Sequence, residues 1–314
     1  MFHPPVVIIM NKSKLTKPYI IWLVSALCCL LWGSAFPAIR RGYEYLHIES
    51  ADTFSIILFA GVRFFGAGVL TLIIFSLIER KPLLPKKTDA PKIAVLSVFQ
   101  TIVQYLFFYL GLAFTTGSRA SIVNSTSVFF AIFISALIFK QEKLKSNKII
   151  GSVIGFAGVV LVSLDAFKSG GGAVGEAFIL ISSVSYAFSS AFMKKYSDSS
   201  DPAMLSGCQF MLGGAVMIAV GLICGGRLTE LNARGVLITV YLMLVSALAY
   251  SLWSILIKHN SVSKIAVFGF LTPIFGFVMS LMFDASSKAE SSVFAVISLI
   301  LAVTGIIIVN KNGD

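Results

Sequence analysis

The feature of this sequence that most constrains its fold is a series of uninterrupted apolar stretches that recur from one end of the chain to the other. A water-soluble helix or strand presents polar residues at a regular period, and these stretches do not. Each is about 18 to 25 residues long, which matches an α-helix that crosses the hydrocarbon core of a bilayer. Ten such stretches are expected to be transmembrane helices: 18–39, 54–78, 91–113, 119–138, 148–165, 173–193, 203–225, 235–257, 264–283 and 290–309.

The composition supports lipid as the solvent of this chain. Charged residues make up 12% of the 314 residues, whereas an average soluble domain has about 25%. The longest breaks between apolar stretches lie near 40–53 and 79–90, and each is too short for a soluble catalytic domain. The sequence therefore predicts an all-α membrane protein made of helices and short loops.

The positive charges predict the orientation, because cytoplasmic loops carry an excess of Lys and Arg. If the N-terminus is inside, 17 of the 25 Lys and Arg residues fall on the inner side and seven on the outer side. Both termini are thus expected to be cytoplasmic, in a multi-pass protein of a bacterial inner (plasma) membrane. The net charge of +11 is spread over short loops, so we expect a lipid bilayer and no nucleic acid as a partner.

A glycine run in the middle of the chain divides the ten spans into two sets of five. Segment 32–36 is echoed by 188–192, and segment 126–129 by 272–275. Because five is odd, the second set must enter the membrane from the opposite side, which gives an inverted repeat. The expected organisation is a cytoplasmic N-terminal tail, a first five-helix repeat, a glycine hinge, a second five-helix repeat and a C-terminal tail, at 1–17, 18–168, 169–172, 173–310 and 311–314.

Several local motifs occur in a fixed order along these spans: Trp32-Gly33-Ser34, Arg63-Phe64, the segment from Gly111 to Ala120, Glu142 followed by Gly151 and Gly158, and Thr272-Pro273. In this respect the whole chain resembles the drug/metabolite transporter superfamily, specifically its ten-helix EamA-type branch. The resemblance implies export or exchange of amino acids, metabolites or amphipathic compounds. It also implies a central cavity lined by helices one to four and six to nine, with helices five and ten outside it.

Two positions depart from the pattern of that family. Ser127 stands where the family usually has a proline matching Pro273, and the second half has no clear counterpart of Glu142. Pro37 and Pro273 are the prolines that we expect to break helices for gating.

Arg63 is the one ionisable residue deep inside a predicted span. Nine helical residues place it roughly 13 Å below the outer boundary, near the middle of the bilayer. A cation at this depth should face the protein interior, water or a partner. Two interpretations stay open: Arg63 ties neighbouring helices together, or its guanidinium binds an anionic group of the substrate.

The acidic residues fall in loops, at span ends or at the C-terminus. A proton antiporter for cationic drugs commonly uses a carboxylate within the membrane, so neutral, zwitterionic or anionic cargo is favoured. Six further polar or aromatic residues in mid-span are predicted to line the substrate cavity, although packing between helices could also explain each of them. They are Trp32, Gln104, Asn124, Tyr186, Tyr250 and Trp253.

Other classes of function are less well supported. The three histidines lie in tails, loops or a helix end, and the cysteines have no metal-site spacing. No catalytic group, metal or cofactor is therefore predicted, and the chain is not expected to be an enzyme. A channel would need rings of charge or a re-entrant filter, and an exchanger of phosphorylated or nucleotide sugars would need clustered basic residues. The exchanger of phosphorylated or nucleotide sugars stays the main alternative to a metabolite transporter.

Three smaller features complete the sequence-based predictions. Gly151, Gly155 and Gly158 in the fifth span would let another helix approach closely, within the chain or in a homodimer through peripheral helices. Lys194 is expected to anchor a helix end among lipid headgroups. Translation could begin at Met1 or at Met10, since the segment between them does not have the features of a signal peptide.

Overall fold

The computed structural model describes residues 15–141, 143–168, 173–228, 232–260, 262, 265, 267–283 and 293–310. Within these ranges the chain is helical and contains no β-strand. The main helices are α1 Pro18–Tyr45, α2 Thr53–Glu79, α3 at 90–114, α4 Gly117–Ile138, α5 Ser146–Lys168, α6 Val174–Tyr196, α7 Pro202–Ile223, α8 Ala233–His259, α9 Leu271–Phe283 and α10 Val293–Asn310.

Seven of these helices are long and apolar enough to cross a membrane, namely α1 to α4 and α6 to α8. The described parts of α5, α9 and α10 form shorter apolar helices. The all-helical class predicted from the sequence is confirmed, whereas ten membrane crossings and cytoplasmic termini stay predictions. The glycine hinge, Glu142 and most of both predicted tails lie outside the described residues.

Side-chain caps explain where several helices begin. The carboxylate of Asp52 accepts a hydrogen bond from the backbone N–H of Ser55 at 3.0 Å. The carboxylate of Asp201 accepts from the backbone N–H groups of Ala203 and Met204, both at 2.9 Å. Such caps satisfy N–H groups that have no partner inside the helix. They lie in the connections that precede α2 and α7.

The first helix is longer than the sequence predicted. We expected it to end at residue 39, before a loop that carries Arg40 and Arg41, but α1 continues to Tyr45. The guanidinium of Arg40 donates to two carbonyl groups at the C-terminal end of α3, those of Leu112 and of Thr115 just after the helix. The side chain of Arg41 donates to the carbonyl of Phe283. Two charged residues therefore do not mark the helix end here, because both find acceptors on neighbouring helices.

Helices that occupy corresponding places in the two halves run antiparallel. A Cβ atom added at Gly61 of α2 would lie 2.6 Å from the backbone nitrogen of Ile218 in α7. One added at Gly68, further along α2, would lie 2.6 Å from the carbonyl oxygen of Gly207, which is earlier in α7. Residue numbers therefore increase along α2 in the direction in which they decrease along α7. The two helices are antiparallel, as an inverted repeat requires.

The peripheral helices α5 and α10 form a second antiparallel pair. A Cβ atom added at Gly158 would lie 2.6 Å from the carbonyl oxygen of Ser298, and one added at Gly305 would lie 2.6 Å from the backbone nitrogen of Gly155. Glycines of α5 therefore serve packing within the chain. A homodimer through these helices stays a prediction.

The remaining helix contacts follow the same exchange of halves. Helix α1 packs on α8 and α9, and α6, its counterpart in the second half, packs on α3 and α4. When each helix is replaced by its counterpart in the other half, the contacts of α1 with α8 and α9 become those of α6 with α3 and α4. The arrangement places α1, α3, α4, α6, α8 and α9 around the centre of the protein.

Candidate functional site

A cavity lies at the centre of the protein and is lined by residues of both halves. Among the described residues, its walls come from α1 to α4, α6, α8, α9 and the segment before α9. The cavity has a volume of about 80 Å³, which is enough to hold water or part of a small solute. Neither α5 nor α10 contributes a described lining residue, in agreement with the resemblance.

The structure brings all seven predicted substrate-binding residues to this cavity. The residues that line it include Arg63, Trp32, Gln104, Asn124, Tyr186, Tyr250 and Trp253. Their convergence is a geometric finding, and a role in substrate binding stays a prediction. Pro273 also lines the cavity, near the start of α9, but Pro37 does not. Helix α1 continues through Pro37, so the expected break at this residue is absent.

Aromatic rings form one wall of the cavity. The ring of Trp32 lies edge-on to Tyr250 and Trp253, with centroid distances of 5.1 and 4.9 Å. The side-chain amide of Gln104 donates to the hydroxyl of Tyr250 at 3.2 Å, and the same hydroxyl is hydrogen-bonded to that of Tyr105. Trp32 belongs to the first half and Tyr250 to the second, so this wall joins the two repeats.

Three polar atoms of the lining residues are buried without a hydrogen-bond partner among the described residues. They are the indole Nε1 of Trp32, the amide Oε1 of Gln104 and the hydroxyl of Ser125. An unpaired polar group costs free energy when it is removed from water. The indole is a donor, the amide oxygen an acceptor, and the hydroxyl can act as either. The site therefore has unused capacity to bind a ligand that itself carries donors and acceptors.

Arg63 lies at the wall of the cavity and is 1% exposed. Its guanidinium donates to the hydroxyl of Tyr109 at 2.6 Å, the hydroxyl of Ser246 at 2.9 Å and the carbonyl of Leu242 at 3.2 Å. It also lies 4.7 Å from the ring centroid of Phe64. These contacts connect α2 with α3 and α8, which supports the interpretation as a helix tie. Two of its five N–H groups have no described acceptor.

None of the described residues that line the cavity is acidic. The structure nevertheless contains a buried carboxylate that the sequence reading passed over, because Glu176 lies in the first turn of α6. It is 2% exposed and accepts a hydrogen bond from the hydroxyl of Thr115 at 2.7 Å. Position at the end of a span was taken to mean exposure, and packing against α3 instead buries this side chain.

The sequence reading also missed Ser125 and the interruption of α4. The α-helical hydrogen-bond pattern is interrupted at Ser125, whose backbone stays in the right-handed helical region with φ −60° and ψ −23°, between the stretches Gly117–Asn124 and Thr126–Phe133. No proline is present there, and Ser127 occupies the position where one was expected. Both serines line the cavity. The polar triplet of residues 124–126 inside an apolar span was the signal that could have revealed this break, since Ser and Asn compete with helical hydrogen bonds.

No group of three His, Cys, Asp or Glu side chains comes together as a metal site in the part of the chain that the structure describes. The cavity wall is mostly apolar and includes a few polar side chains, as is usual for small-molecule sites. Such a lining is suited to binding a small molecule.

Comparison with solved structures supports the fold. A crystal structure aligns over 93% of this chain and 97% of its own chain, with a TM-score of 0.67 and 17% sequence identity. At this identity the likeness concerns the fold alone.

Several curated relatives are named as transporters. An uncharacterized transporter of Archaeoglobus fulgidus is 31% identical over 61% of this chain and 64% of its own length. The uncharacterized transporter YvbV of Bacillus subtilis is 26% identical over 92% of this chain and 90% of its own. The uncharacterized inner membrane transporter YedA of Escherichia coli is 28% identical over 78% and 76%.

The family comparison covers most of the sequence in two parts. The sequence profile of the EamA-like transporter family matches residues 18–164 and again residues 173–311. The relatives and this family indicate a transporter and not an enzyme. The apolar helices and the two matched segments lead to the same conclusion: this chain is a multi-pass membrane protein that belongs to the EamA-like transporter family.

Proposed function

We propose that this protein is a secondary carrier that moves small zwitterionic, anionic or neutral metabolites, amino acids among them, by alternating access at the central cavity. The observation that carries the proposal is the set of unpartnered polar atoms on a cavity wall built from both repeats. Transporters made of inverted repeats bind substrate at such an interface and expose it to each side in turn by rocking.

The cavity chemistry limits the cargo. A cationic drug would need a carboxylate or a similar counter-charge, and the described lining residues contain none. The indole N–H of Trp32 can donate to a carboxylate or carbonyl oxygen, while Oε1 of Gln104 can accept from an ammonium, amide or hydroxyl group. These two atoms together suit a zwitterion or a neutral polar molecule. The cavity volume of about 80 Å³ suits a small solute.

The sugar-phosphate alternative is less well supported. Binding a phosphate dianion usually takes several basic groups, whereas Arg63 is the only basic side chain among the described lining residues. Three of its N–H groups already bind protein acceptors. A channel is also disfavoured because no ring of charge surrounds the described cavity.

Direction and location complete the proposal. The resemblance to EamA-type exporters favours efflux, and the distribution of Lys and Arg favours an inner membrane with both termini in the cytoplasm. Alternating access also predicts saturable flux that is stimulated by substrate on the opposite side of the membrane.

The test is transport by the purified protein in liposomes loaded with radiolabelled amino acids, hydroxy acids or small amides. Saturable counterflow of at least one zwitterionic, anionic or neutral solute is expected. Trp32→Phe removes the indole N–H and keeps a ring, and should raise the KM for that solute about tenfold, since a hydrogen bond to a charged group contributes roughly 1.5–3 kcal/mol.

Trp22→Phe is the matched control, because Trp22 is 54% exposed and does not line the cavity. It should transport as the parent protein does. Flux that does not saturate would indicate a channel, and transport restricted to cations would contradict the proposed cargo.

A further inference from the structure

Two basic side chains occupy equivalent places just beyond the cavity. Phe36 of α1 lines the cavity, and Arg40 lies four residues further along the same helix. Ser190 of α6 lines the cavity, and Lys194 lies four residues further along that helix. Four residues are one helical turn, so each cation lies one turn beyond one of these lining residues, on helices that correspond in the two repeats. Ile39, directly before Arg40, also lines the cavity, so Arg40 lies at its edge.

Each cation binds the C-terminal end of another cavity helix. Nη1 of Arg40 donates to the carbonyl groups of Leu112 and Thr115 at 3.0 and 2.6 Å, at the end of α3. Nζ of Lys194 donates at 2.8 and 2.9 Å to the carbonyl groups of Ile257 and Asn260, at the end of α8. The two acceptors are three residues apart in both cases.

The backbone at the two helix ends is also matched. Thr115 follows α3 with φ −137° and ψ 170°, and Asn260 follows α8 with φ −134° and ψ 165°. The last carbonyl groups of a helix have no partner inside it, and they carry the negative end of the helix dipole. A cation from a neighbouring helix is therefore the natural partner for both ends.

The two contacts lie at opposite ends of the cavity. The hydroxyl of Thr115 donates to Glu176 in the first turn of α6, whereas Lys194 lies in the last turn of the same helix. Eighteen helical residues separate Glu176 from Lys194, which is about 27 Å at 1.5 Å per residue. This is close to the thickness of the hydrocarbon core.

The helices joined by each contact are otherwise held apart by the cavity. Helices α1 and α3 both line it and make few contacts with each other, and the same is true of α6 and α8. The Arg40 contact thus draws together two walls at one end, and the Lys194 contact draws together the equivalent walls at the other end. Both contacts are formed in this structure.

We propose that Arg40 and Lys194 are two latches that close opposite ends of the central cavity, and that one latch opens while the other stays closed during transport. This inference rests on the alternating-access function proposed above. In each latch a cation binds two C-terminal carbonyl groups that correspond under the exchange of the repeats, and Nζ of Lys194 also donates to the carbonyl of Lys258 at 3.4 Å. Lys194 is thus assigned to gating and not to anchoring in lipid headgroups.

Access to a cysteine in the cavity tests the latches without any substrate. Ser127 lines the cavity and can be replaced by Cys, while Cys208 and Cys224, which are not fully buried, are replaced by Ser. A membrane-impermeant maleimide is then applied to intact cells or to inverted membrane vesicles. Arg40→Gln should raise the labelling rate about tenfold from one side, and Lys194→Gln should raise it about tenfold from the other side.

Lys195→Gln is the matched control, because Lys195 is the exposed neighbour of Lys194 and should leave labelling unchanged from both sides. Arg40→Lys and Lys194→Arg keep a cationic donor, so their labelling rates should lie between those of the Gln variants and that of the parent protein. A rise from both sides in either variant would show loosened packing, and unchanged rates in both variants would show that these contacts do not gate; either result would overturn the inference. Side-specific labelling combined with no transport of any solute would leave the latches intact and contradict the proposed cargo instead.

Discussion

Arg63 and Tyr109 form the shortest hydrogen bond of the buried cation, with Nη1 2.6 Å from the phenol oxygen. The two residues come from α2 and α3, and the same guanidinium reaches α8 through Leu242 and Ser246. Tyr109 in turn accepts, through its backbone carbonyl, a hydrogen bond from the hydroxyl of Tyr43 in α1. The cation therefore connects helices of both repeats at one point beside the cavity.

Removing this charge should weaken the fold more than removing one of its acceptors. Arg63→Gln leaves several acceptors unpaired and is expected to lower the free energy of unfolding by about 2–4 kcal/mol, whereas Tyr109→Phe should lower it by about 1–2 kcal/mol. Thermal unfolding of the detergent-purified variants measures both. The double variant should be less destabilised than the sum of the two effects, because the residues share a hydrogen bond. Additive losses would show that this bond contributes little.

The close approach of α2 and α7 makes a second prediction. Gly61→Ala would place a methyl group 2.6 Å from the backbone of Ile218, so it should lower the free energy of unfolding by about 1–3 kcal/mol. Gly66 lies on the same helix, but an added Cβ there meets the flexible thioether of Met243. Gly66→Ala is the control and should cost less in the same unfolding assay. Equal losses would argue against backbone contact as the cause.

A carboxylate placed in the cavity should change the preferred cargo. Gln104→Glu keeps the size of the side chain and adds a negative charge beside Tyr250. It is expected to reduce uptake of anionic solutes about tenfold or more, since like charges repel strongly where water is scarce. Competition by anionic, zwitterionic and cationic solutes against one labelled substrate would measure the change. An unaltered order of competition would exclude Gln104 from the binding site.

A polar cluster around the start of α3 predicts a dependence of stability on pH. Asp89, just before α3, accepts hydrogen bonds from the hydroxyl of Ser200 at 2.6 Å and from the backbone N–H of Lys86 at 3.0 Å. It also pairs with Lys92 at 3.2 Å. The hydrogen bond from Ser200 is the largest cause that lowers the pKa of the Asp89 carboxyl below its ordinary value of 3.8.

A carboxyl with a lowered pKa in the folded state stabilises the protein above its unfolded-state pKa, and this stabilisation is lost as the pH falls through the folded-state value. The contribution of Asp89 should therefore be complete at neutral pH, begin to decline near pH 4 and disappear as the pH falls through the lowered folded-state pKa. Asp89→Asn should lower the free energy of unfolding by about 1 kcal/mol at pH 7 and make little difference in acid. Thermal unfolding of the two proteins from pH 3 to pH 7 tests this. Equal differences at all pH values would contradict it.

Sequence alone was sufficient for the class of fold, because the length of an apolar stretch follows directly from the thickness of a bilayer. Helix boundaries were predicted less accurately where charged residues were taken to mark the end of a helix. Arg40 and Arg41 were placed in a loop, yet both lie in α1 because acceptors on other helices satisfy them. The prediction that Pro37 breaks a helix was also wrong, because the preference of proline for helix ends does not take account of the helices packed around this residue.

The sequence predicted which residues converge on the cavity but not the partners that they find there. Mid-span polar residues such as Gln104 and Asn124 are rare enough in apolar helices to be noticed, and lipid excludes them, so they converge on a cavity. Only the tertiary structure showed that three N–H groups of Arg63 donate to other helices, that Glu176 is buried and that Lys194 binds the end of α8. Spacing along a chain sets the face of a helix on which a side chain lies, whereas its partner depends on which helix packs against that face.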